Sequence, residues 1–159
     1  AREDRTPGGL TDGGAAGILR RLGDIDRAIG RFPEARRVYE RAKAIIAPLS
    51  ASDPSVGPDL AALDAALGDL CLDDLADPRA ARTYFAKALD LHRAAAVRRP
   101  GDDDLRRAVV RDLRRLVSAC TQVGDIDATR HFGREEARWR TENPTDDPIR
   151  GDLSSSKSP

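Results

Sequence analysis

The sequence predicts an all-α fold, a stack of three antiparallel helix pairs. Three observations predict it. A segment of the chain recurs, apolar residues recur at three- and four-residue spacing, and turn-forming residues fall between the resulting stripes.

The recurrence is seen by setting LGDIDRAIGRFPEARRVY (22–39) over LGDLCLDDLADPRAARTY (67–84). Leu22, Gly23 and Asp24 fall on Leu67, Gly68 and Asp69. Pro33, Ala35, Arg37 and Tyr39 fall on Pro78, Ala80, Arg82 and Tyr84. A third, weaker copy places Leu116 and Cys120 in register with Leu67 and Cys71, and Ala128 and Phe132 in register with Ala80 and Tyr84.

Taken in order, residues 1–12 read as an N-terminal tail and 13–48 as the first helix pair. Residues 49–58 read as a linker, on the strength of SASDPSVGPD. Residues 59–99 read as the second pair, 100–140 as the third and 141–159 as a C-terminal tail. The first helix of each pair should end near Gly30, Ala76 or Gly124. The second should start almost at once, with Pro33 and Pro78 in the first turn, where a missing amide costs nothing. Asp77 and Asp125 are placed to cap. Ala35, Val38, Tyr39 and Ala42 form one apolar stripe, and Ala81, Tyr84, Phe85, Ala88 and Leu91 another. KALDLHRAAAVRR (87–99) holds no breaker, so that helix should run long before Pro100-Gly101 ends it.

These residues resemble the tetratricopeptide repeat. The features that carry the resemblance in the first copy are Leu22-Gly23, Gly30, Ala35, Tyr39 and Ala42. In the second copy they are Leu67-Gly68, Ala81, Phe85 and Ala88, with one residue inserted near Ala76 and the turn glycine lost. In the third they are Leu116, Gly124 and Phe132, with Val117 in place of the paired glycine. The spacing between copies, 45 to 49 residues, exceeds the family's usual 34. The resemblance covers residues 15–140. It implies a right-handed α-solenoid that binds other proteins. It also implies that first-helix residues line a concave groove: Arg20, Asp24 and Arg27, then Asp69, Leu72 and Asp73, then Arg111, Arg114 and Gln122. The family's clamp for C-terminal carboxylates uses Lys and Asn at such positions. The one asparagine here, Asn143, lies outside the repeats.

Composition narrows the function. Aromatic residues make up 4% of the chain, and alanine and leucine carry most of the apolar content, which suits closely approaching helices. The 27 basic and 27 acidic residues balance, so no basic surplus points to nucleic acid. Balance also leaves little repulsion between copies. No apolar run is long enough to span a membrane, and no signal peptide is recognisable. Arginine far outnumbers lysine, the usage of a GC-rich bacterial genome. The chain holds no methionine and starts at Ala1, which leaves export with processing and a cytoplasmic location both open.

Chemistry-bearing residues are few. Cys71 and Cys120 occupy equivalent helix positions and read as small core residues. Neighbouring helix axes about 8–10 Å apart disfavour bridging them. His92 and His131 lie near no ligand-spaced Cys or carboxylate and read as exposed or half-buried. Gly8-Gly9 and Gly13-Gly14 lack the lysine of a phosphate loop. Asp102, Asp103 and Asp104 precede LRRAVVRDLRRLV and read as a helix cap rather than a metal cluster. Arg107, Arg111, Arg114 and Arg115 form an arginine stripe, read first as a solvated face with internal ion pairs. The expectation is therefore no catalytic residue, no metal and no cofactor.

The ends of such a stack need capping. Phe132 and Trp139 on the last helix, with Ile149 and Leu153 in the C-terminal tail, are the apolar residues expected to hold a neighbouring copy. On composition both tails are otherwise expected to be disordered. The functional expectation is a non-catalytic scaffold that self-assembles into a ring or filament. The alternative is an adaptor module of a larger bacterial regulatory protein, whose groove takes a peptide of another protein.

Overall fold

A computed structural model describes residues 12–142. These residues form six α-helices and no strand: α1 Asp12–Ala28, α2 Phe32–Ile46, α3 Gly57–Asp69, α4 Pro78–Arg98, α5 Asp103–Val123 and α6 Ile126–Glu142. Each packs against its neighbours in sequence, most closely α1 on α2, α3 on α4, α4 on α5 and α5 on α6.

The local signals explain the boundaries. Asp77 accepts a hydrogen bond from Ala80 N at 3.0 Å, Asp102 from Leu105 N at 3.1 Å and Asp125 from Ala128 N at 3.0 Å. Each satisfies an amide that has no partner within its own helix. Of the three aspartates at the start of α5, Asp102 is this cap, while Asp103 and Asp104 in the first turn pair with Arg106 and Arg107 one turn on. The long helix expected over 87–99 is the C-terminal half of α4. The expected linker 49–58 lies two residues earlier, at 47–56, and is more ordered than its composition implied. It holds two 3-10 turns, Leu49–Ala51 and Pro54–Val56, and α3 begins at Gly57 with Pro58 in its first turn.

The inserted residue in the second copy has a physical form. α3 continues into a π-helical turn, Leu70–Asp74, which accommodates one more residue than an α turn. The chain then reverses through Ala76 in the left-handed region, φ 51°, where α1 and α5 are followed by Gly30 at 80° and Gly124 at 82°. Beyond that turn the ungapped overlay is one residue out. Tyr39 corresponds to Phe85, not Tyr84, because Gly23 faces Tyr39 while Gly68 faces Phe85. A Cβ at position 23 would lie 2.5 Å from the Tyr39 ring, and one at 68 would lie 2.6 Å from Phe85. The glycine permits the ring to lie directly on the helix backbone. Tyr84 is only half-buried, with Lys43 Nζ 5.5 Å from its ring centroid.

The core is a continuous band. One cluster joins Ala35, Tyr39, Ala42 and Ile46 of α2 to Leu60, Leu63 and Leu67 of α3 and to Leu70. A second joins Phe85 and Leu89 of α4 to Val109, Leu113, Leu116 and Ala119 of α5, and Leu75 and Tyr84 touch both. Cys71 and Cys120 are buried free thiols in the second cluster, as expected of small core residues. Burial pushes both thiols up, so neither is a ready nucleophile. Ala81 and Ala88 are fully buried on α4, and Phe132 and Trp139 are half-buried against the second cluster.

One core expectation fails. Leu22, aligned with Leu67 and Leu116, is 44% exposed, whereas Leu67 and Leu116 are 0% and 1% exposed. The side of α1 that bears Leu22 has no helix against it among the described residues.

Candidate functional site

Two surfaces qualify as sites, a charged cleft and an apolar helix face. The cleft lies between α3, the π turn that follows it and α5, with Phe85 of α4 in its wall. Ala65, Asp69, Asp73, Phe85, Arg111, Asp112 and Arg115 line a space of about 200 Å³. Of the expected groove residues, Arg27, Asp69, Asp73 and Arg111 are brought to this region. Arg115, from the arginine stripe, is its centre. Its guanidinium reaches Asp69 at 2.6 Å and Asp73 at 2.5 Å, and its Cζ lies 5.4 Å from the Phe85 ring centroid. Asp73 also takes Arg27 Nη2 at 3.3 Å, and Arg27 pairs with Asp74 as well. One carboxylate thus ties α1 to α5 across the end of α3. Burial pushes the Asp69 carboxyl up, and Arg115 works against that shift.

The other groove residues are elsewhere. Arg20 and Asp24 pair with each other at 3.6 Å, and Asp24 also accepts the Tyr39 hydroxyl at 2.7 Å. Arg114 turns to Glu136 of α6 at 3.3 Å, Gln122 is exposed near the end of α5, and Leu72 is buried in the core. The mixed charges of the cleft are spent on one another, as the solvated-face reading of the arginine stripe expects.

Beneath the cleft is a feature the sequence did not disclose. His92, expected at or near the surface, is 4% exposed and meets Asp112 of α5, Nδ1 to Oδ2 2.5 Å. The other carboxylate oxygen, Oδ1, has no hydrogen-bond partner among the described residues, and Arg111 Nε stands 3.8 Å from it. A second buried carboxylate, Asp64, pairs with Lys43 and so links α3 to α2. Partners 20 and 21 residues apart lie beyond any helical spacing, so motif reading could not find them. No group of His, Cys, Asp and Glu that could hold a metal occurs among the described residues.

The apolar face belongs to α1. Ile18, Leu22 and Ile25, with Ile29 in the turn that follows, are 52%, 44%, 57% and 59% exposed. Their spacing of four, three and four residues keeps them in one stripe. The stripe lies about 140° around the helix from the buried side that carries Ala16 and Gly23. Elsewhere among the described residues, large exposed apolar side chains occur singly, as Val97 and Ile126. The signal was legible as a heptad pattern, but periodicity does not say whether a stripe is covered.

The far end of the molecule is different in kind. α6 presents exposed Arg130, His131, Arg134 and Arg138 outward and buries no residue fully. The two aromatic residues expected to hold a neighbour, Phe132 and Trp139, face inward, Phe132 with its ring edge-on to His131 at 5.0 Å. Ile149, Leu153 and Asn143 lie outside the described residues. No helix of the described residues is long and apolar enough to cross a membrane. No protein-family model and no curated protein matches the chain.

Proposed function

We propose that this chain is a non-catalytic helical scaffold of tetratricopeptide type that associates with copies of itself, and that α1 is the surface of association. The observation that carries the reading is the exposed stripe Ile18, Leu22, Ile25 and Ile29. Contiguous exposed aliphatic side chains on one helix mark interaction sites, whereas isolated ones do not. The equivalent residues, Leu63 and Leu67 of α3 and Leu70 at the start of the π turn, pack with α2, so a helix is the kind of element that fits such a face.

Rings and filaments require two complementary ends. The charged outer face of α6 does not complement the apolar face of α1, which favours a closed association of like ends. The test is the mass of the full chain in solution across a concentration series. Association that Leu22→Glu abolishes, with helicity retained, is the expected outcome. A monomer up to millimolar protein would overturn the reading.

A second reading, a peptide-binding adaptor, rests on the cleft and the unpartnered Asp112 Oδ1. At about 200 Å³ the cleft is smaller than typical ligand sites. Arg111→Glu should abolish peptide binding under this reading and leave self-association unchanged.

A further inference from the structure

The stripe on α1 carries information about orientation. Resting on the self-association reading, we infer that two copies meet through α1 side by side and parallel, about a two-fold axis that runs along the helices.

The first argument is by elimination. Among the described residues, α1 bears the one stripe of large exposed apolar side chains. If copies associate by covering apolar surface, α1 of one copy must meet α1 of the other. The stripe is self-complementary: its spacing places Leu22 and Ile29 at the first apolar heptad position and Ile18 and Ile25 at the second. The buried side of α1 lies well away from this seam, so the rest of each subunit stays clear of the partner.

The second argument is charge. Arg21 and Asp26 flank the seam on opposite sides, five residues apart. Arg21 is exposed and Asp26 half-buried, and neither forms an ion pair among the described residues, although their neighbours Arg20, Asp24 and Arg27 do. In a parallel pair the flanking positions that meet across the seam are five residues apart, so Arg21 of each copy reaches Asp26 of the other, twice over. In an antiparallel pair like flanks meet, which sets arginine-bearing flank against arginine-bearing flank. The parallel arrangement satisfies both charges and the other satisfies neither. Four half-exposed aliphatic side chains per copy make a small interface, so association should be reversible and concentration-dependent.

The experiment is cysteine crosslinking of the full chain, in which both native thiols are buried. Ile29→Cys should crosslink to itself under mild oxidation, and a mixture of Ile18→Cys with Ile29→Cys should yield no crosslink between the two. The converse, a mixed crosslink without the Ile29 self-crosslink, means an antiparallel pair and overturns the inference while leaving self-association standing. A trimer or tetramer by mass overturns the two-fold arrangement. A monomer, or a dimer in which neither cysteine crosslinks, overturns both the inference and the choice of α1. Arg21→Asp and Asp26→Arg should each weaken association about fivefold. Their combination should restore it, because swapping the charges preserves the pairing only in the parallel register.

Discussion

The same stripe has opposite fates in α1 and α3. Ile18, Leu22 and Ile25 in the first align with Leu63 and Leu67 in the second and with Leu70, which opens the π turn after it. The first set is about half exposed and the second set 1%, 0% and 0% exposed. Within each pair the packing is alike, since Gly23 receives Tyr39 much as Gly68 receives Phe85. The difference lies in what precedes the helix. α3 has α2 on that side, and among the described residues α1 has nothing. α5 is a third case, where Asp112 stands at the Leu63 position and α4 supplies His92 to meet it. Burial of a stripe is therefore a property of the stack, and the helix supplies only the stripe.

Substitutions can break this comparison at each level, and the largest effect should come from the buried copy. Leu67→Ala should lower stability by about 3 kcal/mol, the cost of lost transfer energy and a cavity. Thermal or urea unfolding measures it. Asp112→Ala should cost about 3 kcal/mol too, because it strands His92 without a partner. Replacing His92 and Asp112 together with leucine should recover most of that loss, because removing both members of a buried polar pair leaves neither without a partner. A double variant as unstable as the single would mean that the pair carries structure beyond its own hydrogen bond.

Gly68→Ala and Gly23→Ala should each cost about 2 kcal/mol through the collision with Phe85 or Tyr39. Near-equal losses would sharpen the comparison, since they would show that the intra-pair contact is indifferent to the neighbour on the outer side. The pH dependence should be smaller. Burial holds the Asp64 carboxyl above its ordinary value of 3.8, against the pull of Lys43. A raised acid stabilises the fold while protonated, and that contribution is lost as pH rises from 3.8 through the folded value. The melting temperature of Asp64→Asn should therefore gain on that of the unaltered chain over this window and then level off. The smallest effect on folding should come from Leu22→Ala, within about 0.5 kcal/mol, because an exposed side chain removes little from water. Its effect should appear in association instead.

Much of the fold was legible. Helix starts at Pro78 and the aspartate caps, and stops at Gly30, Gly124 and Pro100, all rest on interactions within a few turns of chain. The register error after Ala76 arose because an identity count favours an ungapped overlay, while the chain absorbs its extra residue in the π turn at Leu70–Asp74. Of the expected groove, Arg27, Asp69, Asp73 and Arg111 came together. Arg114 did not, because its position three residues on from Arg111 rotates it about 60° around α5, where it meets Glu136 of α6 instead. His92 was misplaced because a lone histidine shows no partner until α4 and α5 are docked.

By itself the sequence determined the helices, their breaks and the spacing of their apolar stripes. Those follow from cap chemistry, proline and glycine conformation and a 3.6-residue period, all local. The tertiary structure alone decided that Leu67 is buried and Leu22 is not. It alone decided that His92 meets Asp112 and that Arg115 spends its charge on Asp69 and Asp73. Burial and pairing depend on which helix arrives from tens of residues away, and no local pattern encodes that arrival.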